Sequence, residues 1–275
     1  MKKLILHLYQ MLPPSIVNSI GTAQWLKPLR DKILRSENGA QAITVTVNRD
    51  YAPYFVSFKF HAAIRVAAKA KEKGIENTLL RNTISLLRAK GIAEKAVILD
   101  VGTNYGYLSM VWSQTLASNG GKVYSFEPSR GVFRAFQQTI QLNGTRAKNI
   151  LTENKAVGLH TGNIELYDSG TTSNIIEQEN VKENYLVPMV SIDDYAQSAD
   201  IQKIDLIKID VDGIEHEILR GAKNVLMEQK PVLVIETNND PRIITFCSDL
   251  GYQVLDMNLA VYDRKDAIPS NVFCV

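Results

Sequence analysis

Two short stretches of this sequence carry residue types and spacings suited to chemistry. The first is VILDVGTNYG, residues 97–106. It reads as a buried strand that ends on Asp100 and turns through Gly102 and Gly106 into a helix. Glycines after a strand let a ligand approach the backbone and place a helix N-terminus beside it. Lying two and six residues after the acid, they lack the G-x-G-x-x-G spacing of a dinucleotide enzyme. The second stretch is LIKIDVDGIE, residues 206–215. The two-residue period of a strand puts Lys208 and Asp210 on one face, with Asp210 near the strand's end and facing a cleft.

Two further acids end strands. Glu127 closes VYSFE and Glu236 closes VLVIE. In a doubly wound sheet, ligands bind at the carboxyl ends of strands, so these positions carry weight. A carboxylate at residue 127 can accept from both hydroxyls of a ribose; the alternative is a helix N-terminal acid favoured by the dipole. Asp100 is expected to orient the glycine loop or to reach a ligand amino group through water. Asn104 either offers its amide to the ligand or caps the following helix. Asp212 and Glu215, three residues apart, resemble a capping box for a helix over 213–227. His216 reads as a solvated helix-surface residue. Asp210, Asp212 and Glu215 could hold a divalent cation through oxygen, but no fixed ligand spacing is satisfied and no metal is expected. Nucleophile elbows, P-loops and zinc clusters are absent from the sequence.

The elements that must position these groups divide the chain in two. Residues 95–275 alternate strand and helix. Strands are expected over 96–101, 122–127, 149–156, 204–210, 232–236 and 252–256, with helices over 105–117, 130–143, 213–227 and 242–250. Short apolar strands alternating with one-faced helices imply an α/β fold with a mainly parallel, doubly wound sheet. Between 158 and 190 the rhythm changes: 163–167 and 187–190 look extended, and the polar run 169–174 between them reads as a loop able to cover a ligand. Residues 1–94 form an N-terminal extension. It has a weak helical start, two alternating stretches at 43–47 and 54–60 that suggest a hairpin about Asn48, Arg49 and Asp50, and one or two helices within 61–90, broken at Gly74. A lid, a substrate platform or an oligomer contact are its expected uses.

The bulk composition narrows the class. Of 275 residues, 45% are hydrophobic and 22% charged, as in an ordinary globular protein with a sizeable core. Thirty-one basic against 29 acidic residues leave a net charge of +2, which gives no support to a nucleic-acid partner. Cys247 and Cys274 lack metal-ligand spacing and read as buried small hydrophobes. The start, MKKLIL, briefly resembles a signal peptide, but His7, Tyr9, Gln10 and the Pro13-Pro14 pair interrupt it. An amphipathic surface segment over residues 1–12 is a lesser reading. No segment reaches the roughly 18 apolar residues of a membrane span, so a cytoplasmic location is expected.

Taken together, these pieces resemble the FkbM family of S-adenosylmethionine (SAM)-dependent methyltransferases. The D-x-G-x-x-x-G loop of ILDVGTNYG (98–106) and YSFEPS (124–129) look like those of SAM enzymes in general. KAVG (155–158), SIDDY (191–195), IKIDVDGIEHEILRGA (207–222), VLVIET (232–237) and GYQVLD (251–256) complete the likeness, with the long motif the most family-specific. It spans residues 78–275, with Thr103 where Ala is commoner and Asp212 where Glu is common. The resemblance implies a Rossmann-like class I methyltransferase fold, SAM as cofactor, and O-methylation of a sugar or secondary metabolite. It places Asp100, Gly102, Asn104, Gly106, Glu127 and Ala156 at the cofactor. A sugar hydroxyl is a poor nucleophile, so a base should help; Asp210 is the first choice, then Glu236 and Lys208, with 171–174 near the acceptor. A non-catalytic SAM- or nucleotide-binding module would need no strand-end acids, and a nicotinamide oxidoreductase would need the third glycine.

Overall fold

The computed structural model describes residues 35–36, 39–40, 42–168, 173–174 and 183–275. A ten-by-ten hairpin, β1 (Ala42–Tyr51) and β2 (Tyr54–Ala63), leads into helices α1 (Ile64–Glu72) and α2 (Asn77–Ala89). The alternating part follows: β3 (Val97–Val101), α3 (Tyr107–Gln114), β4 (Lys122–Phe126), α4 (Arg130–Asn143) and β5 (Ile150–Glu153). A side sheet comes next, with β6 (Ala156–Val157), β7 (Gly162–Asp168) and β8 (Glu183–Val190). The chain then continues through α5 (Ile192–Ser198), β9 (Leu206–Ile209), α6 (Glu215–Arg220), α7 (Lys223–Gln229), β10 (Val232–Glu236) and α8 (Pro241–Asp249). It closes with β11 (Val254–Leu255) and β12 (Asn271–Cys274).

The main sheet has the order β11-β12-β10-β9-β3-β4-β5. The five strands from β10 to β5 are parallel, and β12 runs antiparallel to both its neighbours. Strand order reverses between β3 and β9, which is where an open α/β sheet leaves a crevice at its carboxyl edge.

The two-residue period sorts the strand side chains onto two faces. Ile98, Leu206, Val232 and Val234 join one core with Val47, Phe58, Leu80 and Trp112, so the hairpin and α2 cover this face. Leu99, Ile207, Leu233 and Ile235 join the other core with Ile218, Leu226 and Ile243 from α6, α7 and α8. Residues 42–89 are thus built into the core of the sheet. Phe58 and Phe60 each stack edge-on against Tyr107, at 5.5 Å, just past the glycine loop.

Several elements differ from the sequence expectation. Asn48, Arg49 and Asp50 continue β1, and the hairpin turns at Ala52-Pro53 instead. The strand expected over 149–156 splits, because Asn154 leaves the sheet to donate to the Glu127 and Pro128 carbonyls, and Ala156 pairs in the side sheet. The single helix expected over 213–227 breaks at Gly221-Ala222. A Cβ on Gly221 would lie 2.4 Å from the Gly158 carbonyl oxygen, so two backbones meet there. Asp193 restarts the chain as α7 by accepting from the amides of Asn224 and Val225. Helix α5 and strand β12 went unread, although Ser191 followed by two acids is an N-cap signal and its hydroxyl accepts from the Asp194 amide. The expectations for residues 1–12 and 169–172 lie outside the described residues; Ser173 and Asn174 pair with β7.

If the hairpin belongs to the core, Phe58→Ala should cost about 3–5 kcal/mol, the usual range for deleting a buried aromatic. Urea unfolding read by tryptophan fluorescence measures this. A loss below about 1 kcal/mol would make the hairpin peripheral.

Candidate active site

Asp100, Lys208, Asp210 and Glu236 occupy the same strand face as Ile98, Leu206 and Val234, at the carboxyl edge of β3, β9 and β10. Register places Lys208 beside Asp100 on one side and Val234 on the other, and Ile209 beside Ile235. Asp210 and Glu236 follow these last two, so they emerge next to each other.

Lys208 is 4% exposed. Its ammonium donates to the Gly102 carbonyl at 2.9 Å and the Val101 carbonyl at 3.4 Å, and pairs with Asp210 Oδ2 at 3.2 Å. Asp100 Oδ1 lies 3.7 Å away. Burial favours the neutral amine, but the charges of Asp210, Asp100 and Glu76 outweigh it and raise the Lys208 pKa. Lys208 is therefore a permanent cation that pins the glycine loop to the end of β9.

Asp210 and Glu236 hydrogen-bond to each other. Burial pushes Asp210 up, yet the Lys208 charge and the bonds from Glu236 and Lys208 hold it below the ordinary carboxylate value. Glu236 moves the other way. Burial, the bond to Asp210 and the charges of Asp210, Asp212 and Glu215 push it up to about 8. The pair shares one proton near neutrality, carried on Glu236, as two close carboxylates must.

The glycine loop is held from below. Asp100 Oδ2 accepts from Thr103 Oγ1 at 2.8 Å and from the Ser109 hydroxyl, which also meets Ser125 Oγ at 2.8 Å. Thr103 thus supplies a donor to a fully buried acid. Asp100 Oδ1 has no hydrogen-bond partner. Gly102 has φ +75°, and a Cβ there would sit 1.9 Å from the Asp210 carbonyl oxygen. Gly106 has φ +82°, and its missing Cβ makes room for the Phe136 ring. Both glycines are required by backbone conformation and by close packing. Asn104 does not cap α3, whose N-cap is Gly106. It sits at φ +54° and its amide donates to Glu127 Oε2 at 3.0 Å.

Glu127 Oε1 accepts from the Ser129 amide at 2.9 Å. Each carboxylate oxygen thus takes one backbone N–H and keeps a lone pair for another donor, such as a hydroxyl of a ribose diol. Burial pushes Glu127 up to about 7, partly offset by the Ser129 and Asn104 amides and the Lys208 charge. Two free acceptor directions on Glu127 beside the glycine turn fit a cofactor that carries a diol. The Ala156 side chain packs with Leu166 and Val187 under the side sheet.

The capping box expected at 212–215 is corrected. Asp212 has φ +62° and the N-cap of α6 is Ile214. Glu215 alone turns back, accepting from the Val211 and Gly213 amides at 3.3 and 3.1 Å and from Asn238 Nδ2 at 3.0 Å. It clamps the β9 loop to the β10 loop, so Asp210 and Glu236 are held together. Sequence reasoning missed that coupling and also missed Glu76. Its charge is felt by Lys208 although it lies far upstream, and no local motif marks it.

Residues 100–254, more than half of the chain, match the model of the methyltransferase FkbM domain. The hexuronic acid methyltransferase AglP of Haloferax volcanii is 26% identical over 154 residues, 55% of this chain. This chain spans 61% of that relative's length. Among solved structures, the FkbM methyltransferase from Methylobacillus flagellatus KT is similar with a TM-score of 0.47 and 17% identity, over 66% of this chain and 44% of that one. Aeropyrum pernix fibrillarin with natively bound SAM gives 0.42 and 14%, over 86% and 99%. At TM-scores below 0.5, these two likenesses carry no argument. The extent of the domain match settles the matter: the chain belongs to the FkbM family of SAM-dependent methyltransferases.

Proposed function

We propose that this methyltransferase O-methylates a hydroxyl of a sugar or a related secondary metabolite, with the Asp210–Glu236 pair receiving the hydroxyl proton. The observation that carries the reading is that pair, one carboxylate held ionised by Lys208 and the other holding a proton. A carboxylate acceptor would arrive already ionised and would need no base; a hydroxyl does need one. The name of the archaeal relative, a hexuronic acid methyltransferase, supports a sugar-type acceptor without saying which group takes the methyl.

SAM supplies an electrophilic methyl on its sulfonium. Glu127 would hold the ribose, and the loop from Gly102 to Gly106 would carry the methionyl end. Asp210 accepts the hydrogen bond of the attacking hydroxyl and aims its lone pair. Glu236, with a pKa of about 8, is poised to give up its proton near working pH and leave Asp210 the stronger acceptor. Lys208 keeps Asp210 charged and in place; its donors are already committed to the protein. It is a positioning residue more than a base. Thr171 and Thr172 fall outside the described residues. Ser173 and Asn174 sit on the edge of the side sheet.

Three outcomes follow. Methyl-labelled SAM, incubated with a panel of neutral sugars, uronic acids and secondary metabolites, should give a product whose label survives alkaline hydrolysis, as an ether does. Label lost in alkali would mean an ester and would reject the hydroxyl reading. Asp210→Asn should lower kcat by roughly 10²–10⁴-fold while SAM affinity changes less than about threefold; retained turnover removes Asp210 from the chemistry.

The third outcome concerns pH. Glu236 has a folded pKa of about 8, above its ordinary value of 4.5. Its stabilising contribution is complete below the unfolded value and is lost as pH rises through about 8. Urea stability of Glu236→Gln should therefore fall less between pH 5 and 8 than that of the parent, by about 1–3 kcal/mol once solvent screening of this half-buried group is discounted. Parallel curves would show that the proton is not on Glu236.

A further inference from the structure

One carboxylate from outside the matched domain reaches the same face of the sheet. Glu76 precedes α2, as its N-cap residue, with φ +48° and ψ +44°. A glutamate held in the left-handed region is uncommon and strained, and such positions persist where the surroundings enforce them. Here both neighbours are tied down. The Ile75 amide donates to the Tyr107 hydroxyl, one residue past Gly106. Asn77 Oδ1 accepts from Tyr51 Oη at 2.8 Å, and Tyr51 in turn meets Tyr107 Oη at 3.2 Å. The buried tyrosine pair thus fastens residues 75 and 77 to the start of α3 and presents residue 76 beside the glycine loop.

Glu76 is an exposed residue with no carboxylate-binding cation of its own among the described residues. Its side chain is open to solvent, yet the protein around it is dense enough to raise its carboxyl by desolvation. The charges acting on it are those of Lys208, Asp210, Asp100 and, more weakly, Lys69. Among the described residues no cation lies within ion-pair distance of Glu76. Lys208 cannot serve, since its donors are spent on Gly102, Val101 and Asp210. Asp100 Oδ1 is a second acceptor without a hydrogen bond, fully buried beneath the loop. The charges of Asp100, Asp210 and Glu76 thus act on a single saturated ammonium, so carboxylates outnumber cations here.

We infer that Glu76 binds the α-ammonium of the methionyl part of SAM, so that the segment preceding the family domain completes the cofactor site. The ammonium brings the missing charge and three N–H donors. The glycine loop would hold that end of the cofactor, and the Asn77–Tyr51–Tyr107 hydrogen bonds tether the segment of Glu76 to the start of α3 that follows this loop. Charge-assisted bonds of this kind are the strong ones. The inference rests on reading the Gly102–Gly106 loop and Glu127 as the SAM site.

The test compares two ligands by calorimetry on the full chain. S-adenosylhomocysteine carries the amino-acid portion; 5′-methylthioadenosine has the same nucleoside thioether without it. Glu76→Gln should weaken S-adenosylhomocysteine by roughly 10–100-fold and leave methylthioadenosine unchanged. Glu76→Asn, which tolerates the left-handed backbone, should do the same and guards against a folding artefact. Unchanged S-adenosylhomocysteine affinity, or equal losses for both ligands, would overturn the assignment. Glu127→Gln should weaken both ligands; if it weakens neither, the cofactor-site reading itself fails, whatever Glu76 does.

Discussion

A buried ammonium at the point where strand order reverses organises this site. Lys208 is out of water, and a charge there is costly unless paired and hydrogen-bonded. Its partners are the last carbonyl of β3, the Gly102 carbonyl and the carboxylate of Asp210. Those bonds draw the glycine loop against the end of β9, closely enough that only glycine fits at residue 102. They also decide ionisation. Asp210 stays charged because Lys208 is there, and Glu236, bonded to Asp210 and without a cation of its own among the described residues, keeps the proton. Loop geometry and acid–base character thus share one cause.

The two faces of the sheet divide the labour. On the α6–α8 face the central strands contribute Leu99, Val101, Ile207, Ile209, Leu233 and Ile235, an apolar support. On the other face the same strands turn from apolar to ionisable as they approach the carboxyl edge. The hairpin and α2 cover the apolar part with Phe58, Leu80 and their neighbours. The chain between α1 and α2 then arrives where the ionisable part begins. A segment that looks like an appendage in sequence is, on this face, part of the core.

The supporting polar residues do indirect work. Thr103 and Ser109 satisfy one oxygen of Asp100, with Ser125 bonded to Ser109 behind them, and leave the other without a hydrogen bond. Glu215 spends its carboxylate on backbone amides and Asn238, joining the loops that bear Asp210 and Glu236. Asp193 and Tyr195, within the SIDDY motif, stay away from the crevice. One caps α7, and the other stacks on Phe126 at 4.8 Å and donates to Glu153. Their part is to hold the far side of the sheet.

The sequence by itself determined the alternation of strand and helix, the parallel sheet, the glycine turn and the acids at strand ends. These rest on periods of two and 3.6 and on spacings within a few residues, which are local properties of the chain. It also put Lys208 and Asp210 on one face, for the same reason. Where a long-range contact overrode the local pattern, the reading failed. The helix over 213–227 breaks because another backbone passes Gly221, and the strand after Ile150 ends because Asn154 binds the chain beyond β4. Only the tertiary structure decided which carboxylate keeps the proton, what Glu215 holds together and that the charge of residue 76 is felt at residue 208. Each depends on distances between groups far apart in sequence, and on how much water burial leaves between them.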